Sequence, residues 1–164
     1  MISAMLSVIL SVGMALSGPL PSPIPNFLIP VHIYECSFSD KDAELLAKMV
    51  WGEARGLGDT EKAACVWCVL NRVDIGYGSI EQVLMAPNQF LGYNQSNPVD
   101  EEILSLCKNV LFWWELENKT GVEIGRVLPS DYLWFTGNGR ENVFRNKYKG
   151  GNVWDWSLKS PYTS

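Results

Sequence analysis

The chain has 164 residues, with 18 acidic and 13 basic side chains and a net charge of −5. That length supports one domain with a real core, and the acidic balance, with no basic stripe or patch, argues against nucleic acid or another polyanion as the default partner. The only histidine is His32, so a catalytic zinc centre of the His-ligated amidase kind and a Cys–His nucleophile pair lack the histidines they need.

Residues 1–18 are apolar and small, in the manner of a signal-peptide core, with Ala15-Leu16-Ser17 as a small-residue cleavage site. No Lys or Arg precedes them; the first basic residue is Lys41. A membrane anchor is the alternative, on a run barely long enough to span, and a buried N-terminal helix is the plainer one. Either of the first two readings places the protein outside the cytoplasm, exported or membrane-anchored, with an N-terminal membrane contact. Residues 19–36 carry five prolines and form a semi-rigid linker. Residues 37–164 form the working domain, read as a monomer.

A helix is predicted over Asp40–Ala54, with Ser39 as N-cap and Asp42 favouring the positive helix end. Ala43, Leu46, Ala47, Val50 and Ala54 share its apolar face, while Lys41, Glu44, Lys48 and Arg55 gather on another. Glu53 joins neither group. It sits beside Leu46 and Met49 on the flank of the apolar face, where partial desolvation favours the protonated carboxyl. Such a group can donate a proton to a leaving oxygen. An ion pair with Arg55 or Arg72 is the structural alternative.

Gly56 and Gly58 end this helix, and Asp59 or Thr60 is placed as the cap of the next. From Ala63 to Leu70 that helix has no charged residue, so it is expected to be buried on most sides, as a support behind Glu53. Asn71 and Arg72 close it, to hydrogen-bond Glu53 or the turn after it, or simply to cap the helix end. Cys65 and Cys68 fall inside this apolar run and read as small core residues rather than a redox or zinc motif. A Cys36–Cys107 disulfide is an open alternative for an exported chain.

Ser79–Met85 reads as a short helix. The loop APNQFLGYNQSNP that follows is rich in amides and aromatics, with Gln89, Tyr93, Asn94 and Gln95 able to donate and accept hydrogen bonds. Pro98–Glu117 is a further helix with Asp100 as N-cap, and its apolar positions repeat at helical spacing as core. Asp131–Thr136 and Glu141–Arg145 read as two short strands joined by a turn at Gly137-Asn138-Gly139-Arg140. The tail from Gly150 to Trp156 is aromatic and polar. The fold class is therefore α+β, mainly helical, with a small β-hairpin region near the C-terminus.

Three pieces occur in order: Trp51-Gly52-Glu53-Ala54-Arg55-Gly56, then Val69-Leu70-Asn71-Arg72-Val73, then Pro87-Asn88-Gln89-Phe90. Together they resemble the SleB/CwlJ family of cell wall hydrolases, over roughly Asp42 to Trp156. The resemblance implies a lysozyme-like, lytic-transglycosylase-like domain that cuts the β-1,4 bond between N-acetylmuramic acid and N-acetylglucosamine, with Glu53 as the catalytic acid. It implies substrate contacts at Gln89, Phe90, Tyr93, Trp134, Phe135 and Asn138, support from Arg55, Asn71 and Arg72, and glycan strands of peptidoglycan as the partner. No metal or organic cofactor is implied. The chain departs from the family at Leu57, where a second glutamate is common, at Glu61, where a glycine is common, and at Trp134–Asn138, where a histidine is common. A single acid suits a transglycosylase. Asp59, Glu61 and Asp131 are the available second carboxylates for a hydrolysing muramidase, and a binding protein that lost activity is the rival of another class.

Overall fold

The computed structural model describes residues 37–138 and 140–162. The expectations for residues 1–18 and 19–36, for His32, for a Cys36 disulfide and for Gly139 of the hairpin turn fall outside the described residues. Within them the fold is α+β and mainly helical. Four helices, α1 (Asp40–Ala54), α2 (Asp59–Asp74), α3 (Ile80–Leu84) and α4 (Glu101–Thr120), precede three strands, β1 (Trp134–Gly137), β2 (Asn142–Lys147) and β3 (Gly150–Val153).

Helix α1 starts as its sequence dictates. Ser39 and Asp42 form a reciprocal capping box, which satisfies two backbone donors at once. The second helix differs from expectation. Gly58, not Asp59 or Thr60, is the N-cap. Asp59 is already helical and pairs with Lys62 at 2.9 Å, and Thr60 is hydrogen-bonded to Ser160. Every residue from Ala63 to Leu70 is fully buried, because α2 packs against α1, α3 and α4 together. Cys65, Cys68 and Cys107 are free thiols inside this core. Burial pushes the Cys68 thiol up to about 12, so it carries no thiolate for redox or metal chemistry near neutral pH.

Asp100 caps α4 through the Ile103 amide, and Gly121 ends it in the left-handed conformation that glycine tolerates. The buried carboxylate Glu115 accepts hydrogen bonds from the Ser37 and Phe38 amides and from the Ser37 hydroxyl, which ties the start of the domain to α4.

The sheet is antiparallel in the order β1-β2-β3. Trp134 pairs with Arg145 and Gly137 with Asn142 across the first hairpin. The third strand lies where a polar tail was expected. Its ladder to β2 shifts register between Arg145 and Lys147, and Gly150 and Gly151 weakened its strand signal in sequence. Phe144 turns inward from β2 and is 1% exposed, between Phe135 and Trp156. Among the described residues no helix is long and apolar enough to cross a membrane.

Candidate active site

Glu53 lies in the last turn of α1, half-buried, where two concavities meet. One, of about 560 Å³, is lined by Glu53, Arg72, the Asn88–Leu91 loop, Trp134–Gly137 of β1 and the stretch around Arg145–Lys149. The other, of about 410 Å³, is lined by Gly52–Leu57, Gly137 and Arg140–Asn142. The carboxyl is thus flanked on both sides by open space.

The position of the carboxyl follows from an unusually close backbone contact. An added Cβ on Gly52 falls 1.8 Å from the Gly92 carbonyl oxygen, and one on Gly92 falls 2.5 Å from Gly52 backbone atoms. Only glycine at both positions lets the Phe90–Tyr93 turn touch α1 this closely. Asn97 fastens the turn, donating to the Lys48 carbonyl at 3.0 Å and to the Gly92 carbonyl at 2.8 Å. The result is that the Gly92 amide donates to Glu53 Oε1 at 2.6 Å. Oε2 has no hydrogen-bond partner among the described residues, and no cation lies within 4.0 Å of the carboxylate there. The ion pair with Arg55 or Arg72 is not formed. One oxygen is therefore held by a backbone donor and the other is left to act.

Arg72 is 6% exposed and lines the larger concavity. It donates to the Leu133 carbonyl at 2.6 Å and to Gln89 Oε1 at 2.8 Å. Its guanidinium lies 4.5 Å from the Trp134 ring centre and 4.8 Å from that of Phe90. Burial pushes its pKa down, since desolvation opposes the charge, and no carboxylate pairs with it among the described residues. Gln89 thus has its amide oxygen engaged by Arg72. Phe90 packs at 5.7 Å on Phe135. Asn88 and Phe90 both have positive φ, 59° and 43°. For an aromatic residue this is a strained backbone, of the kind that collects at functional loops.

Four of the sequence-identified contact residues, Gln89, Phe90, Trp134 and Phe135, line the larger concavity with Glu53. Tyr93 and Asn138 do not. Tyr93 packs against the core, with its hydroxyl buried and unpartnered. Asn138 holds the hairpin turn, accepting from the Arg140 and Glu141 amides. Asn71 does not reach Glu53 either. Fully buried, it donates to the Pro129 and Tyr132 carbonyls and accepts from Arg126 at 2.7 Å, pinning the approach to β1. Arg55 lies in the smaller concavity over the Trp51 ring, 5.8 Å from its centre.

The expected second carboxylates stand elsewhere. Asp59 pairs with Lys62, Asp131 accepts from Asn146 at 3.1 Å, and Glu61 accepts from the Asn142 amide. Burial and the charge of Glu141 hold the Glu61 pKa up, against the lowering effect of that amide. The other carboxylate lining a concavity with Glu53 is Glu141, which sequence reading passed over as part of a strand.

A basic patch does exist, contrary to the composition-level expectation. Arg72, Arg145, Lys147 and Lys149 all line the larger concavity. The signal was present in part as Arg145 and Lys147, two apart in β2; Lys149 reaches the concavity from the turn that follows. Among the described residues no cluster of His, Cys, Asp and Glu can hold a metal ion. No protein-family model, curated protein or solved structure matches the chain.

Proposed function

We propose that this chain is a SleB/CwlJ-type cell wall hydrolase with a lysozyme-like domain, cleaving the N-acetylmuramic acid–N-acetylglucosamine β-1,4 bond as a lytic transglycosylase. The observation that carries it is Glu53, half-buried at the junction of two concavities, with Oε1 held by the Gly92 amide and Oε2 unpartnered among the described residues. In this reading the protonated Oε2 donates to the glycosidic oxygen as the C1–O bond breaks. The carboxylate then takes the proton of the muramic C6 hydroxyl as O6 attacks C1. A 1,6-anhydro end forms, the leaving sugar keeps the first proton, and Glu53 is protonated again with no water consumed. Trp134 and Phe135, half-buried in the lining, offer apolar surface to sugar rings, and Phe90 backs them from the core. The apolar segment 1–18 and the proline-rich 19–36 would deliver the domain to the wall.

A hydrolysing muramidase is the second reading, and Glu141 favours it. A second carboxylate across the cleft could activate water or act as nucleophile. Incubation of peptidoglycan with the protein, followed by mass spectrometry of the soluble fragments, separates the two. The expected products are anhydro-muropeptides. They should fall by about 10³-fold with Glu53→Gln, the usual weight of a general acid and base, and persist with Glu141→Gln. Reducing-end products that vanish with Glu141→Gln would replace the transglycosylase by the hydrolase. A Glu53→Gln protein as active as wild type would end both.

A further inference from the structure

Glu61 turns away from the helix that carries it. A glutamate at the third helical position normally reaches back to the amide of its own N-cap. Glu61, the third residue of α2, instead accepts from the backbone amide of Asn142, the first residue of β2, and the Gly58 cap has no side-chain hydrogen bond. The site is an unfavourable one for a charge. Burial opposes ionisation there, and the neighbouring charge of Glu141 adds to it. A carboxylate held in such a place by one distant amide calls for a reason beyond the helix itself.

The amide it holds lies at the junction of the two concavities. Asn142 is 4% exposed and is gripped a second time from the same helix face. Its side chain donates to the Cys65 sulfur at 3.4 Å, one turn beyond Glu61. Asn142 pairs with Gly137 across the hairpin, so closely that a Cβ on Gly137 would stand 3.0 Å from Asn142 Oδ1. Glu53 and Gly137 are the two residues that line both concavities, and Arg140, Glu141 and Asn142 line the smaller one beside them. Helix α2 holds the far end of this β region through Asn71 and Arg72, which donate to the Tyr132 and Leu133 carbonyls about three turns further along. Glu61 makes the tie at the near end, where the wall meets the acid.

We infer that Glu61 is a positioning residue: through Asn142 it holds Gly137, Arg140 and Glu141 at the spacing from Glu53 that a glycan strand requires. Its role rests on the peptidoglycan reading and deepens it. The kinetic signature follows from the two-sided arrangement. Glu53 itself is fixed by the Gly92 amide, which belongs to the other wall and does not depend on Glu61. Loosening the Asn142 wall therefore removes contacts to the strand that are made equally before and during reaction, which raises KM and leaves kcat in place.

The test measures kcat and KM of the full chain on soluble, uncross-linked peptidoglycan strands, for wild type, Glu61→Ala, Glu61→Gln and Thr60→Ala. Thr60 is the neighbouring residue, hydrogen-bonded to Ser160 at 2.6 Å and not to the hairpin, so its variant reports what a lost tie in this turn does through stability alone. Glu61→Ala should raise KM about tenfold with kcat within about twofold of wild type. Glu61→Gln keeps an oxygen for the Asn142 amide and should bring KM back to within about twofold of wild type. Thr60→Ala should lower Tm by about 4 °C and leave both constants unchanged. If Glu61→Ala does not fold, Glu61→Asp, about 1.5 Å shorter in reach, carries the same expectation with the charge retained. An unchanged KM, a fall confined to kcat, a rise that Glu61→Gln does not reverse, or an equal rise in Thr60→Ala overturns the positioning role, while wild-type turnover keeps the peptidoglycan reading standing. A wild-type protein that releases no fragments overturns both.

Discussion

The contact between Gly52 and Gly92 makes the placement of Glu53 directly testable through Gly92→Ala. The added methyl would lie 2.5 Å from the Gly52 carbonyl carbon and oxygen and 3.1 Å from the Glu53 nitrogen. All three are backbone atoms in a helix, so none can swing aside. Ordinary contact begins at 3.4 Å, so the 90–93 turn must retreat by about 0.9 Å, against the two hydrogen bonds of Asn97. Overpacking of this kind costs about 2 kcal/mol, or a fall in Tm of about 8 °C for a domain of this size. The larger effect is on chemistry. The Gly92 amide moves with the turn, and its 2.6 Å bond to Glu53 Oε1 stretches to about 3.5 Å, the limit of hydrogen-bond range. A displacement near 1 Å at a reacting group lowers turnover by about 10²-fold. The assay is release of soluble glycan fragments from peptidoglycan at a temperature well below both melting points, with Tm measured in parallel. Turnover within twofold of wild type, in a protein whose Tm has dropped as expected, would refute the claim that this turn positions the acid.

Asn71→Ala removes a buried amide whose loss falls on the Tyr132 carbonyl, since the Pro129 carbonyl keeps the Tyr132 amide and Arg126 keeps the Leu128 carbonyl, at about 2 kcal/mol; thermal unfolding should show the loss, with or without substrate. Tyr93→Phe removes a buried hydroxyl that has no partner, so Tm should hold or rise slightly and glycan release should stay unchanged; a drop in release would return Tyr93 to the cleft. Glu61→Gln addresses pH. Burial raises the Glu61 pKa above its ordinary 4.5, so the folded state holds this proton more tightly than the unfolded chain, and stability falls as pH rises from about 4.5 through the folded value. The amide keeps the oxygen that accepts from Asn142 and removes the charge. At pH 7 the variant should melt about 2 °C higher, equivalent to about 0.5 kcal/mol, and the difference should close below about pH 4 in parallel melts. A variant less stable than wild type at pH 7 would reverse the sign.

Where sequence and structure agree, the reason is local. The α1 limits follow from the Ser39–Asp42 box and the glycines beyond Arg55, and the buried run Ala63–Leu70 declares itself by having no charge to solvate. Where they part, the cause is long-range. Gly92 looks like an ordinary turn residue, and nothing near it in sequence shows that it must abut Gly52, forty residues away along the chain. Asn71 and Arg72 read as a helix end beside the acid, but the helix continues to Asp74. Their side chains leave it in different directions, one into the Pro129–Tyr132 segment and one into the aromatic wall. Tyr93 and Asn138 shared the composition of a binding loop without sharing its direction.

Charge carried the most misleading signal and, once folded, the most specific one. A net charge averages over the whole surface, whereas a ligand meets only the cleft. The acidic residues of this chain lie mainly on helix ends and outer faces, where Asp40, Asp59 and Glu81 pair with exposed or half-buried lysines. Strand β2 and the turn after it bring Arg145, Lys147 and Lys149 into the lining of the cleft that holds Glu53. The lining of the cleft therefore says more than net charge about what this protein can hold: four cations and Glu53 share one concavity on a chain whose sum is acidic.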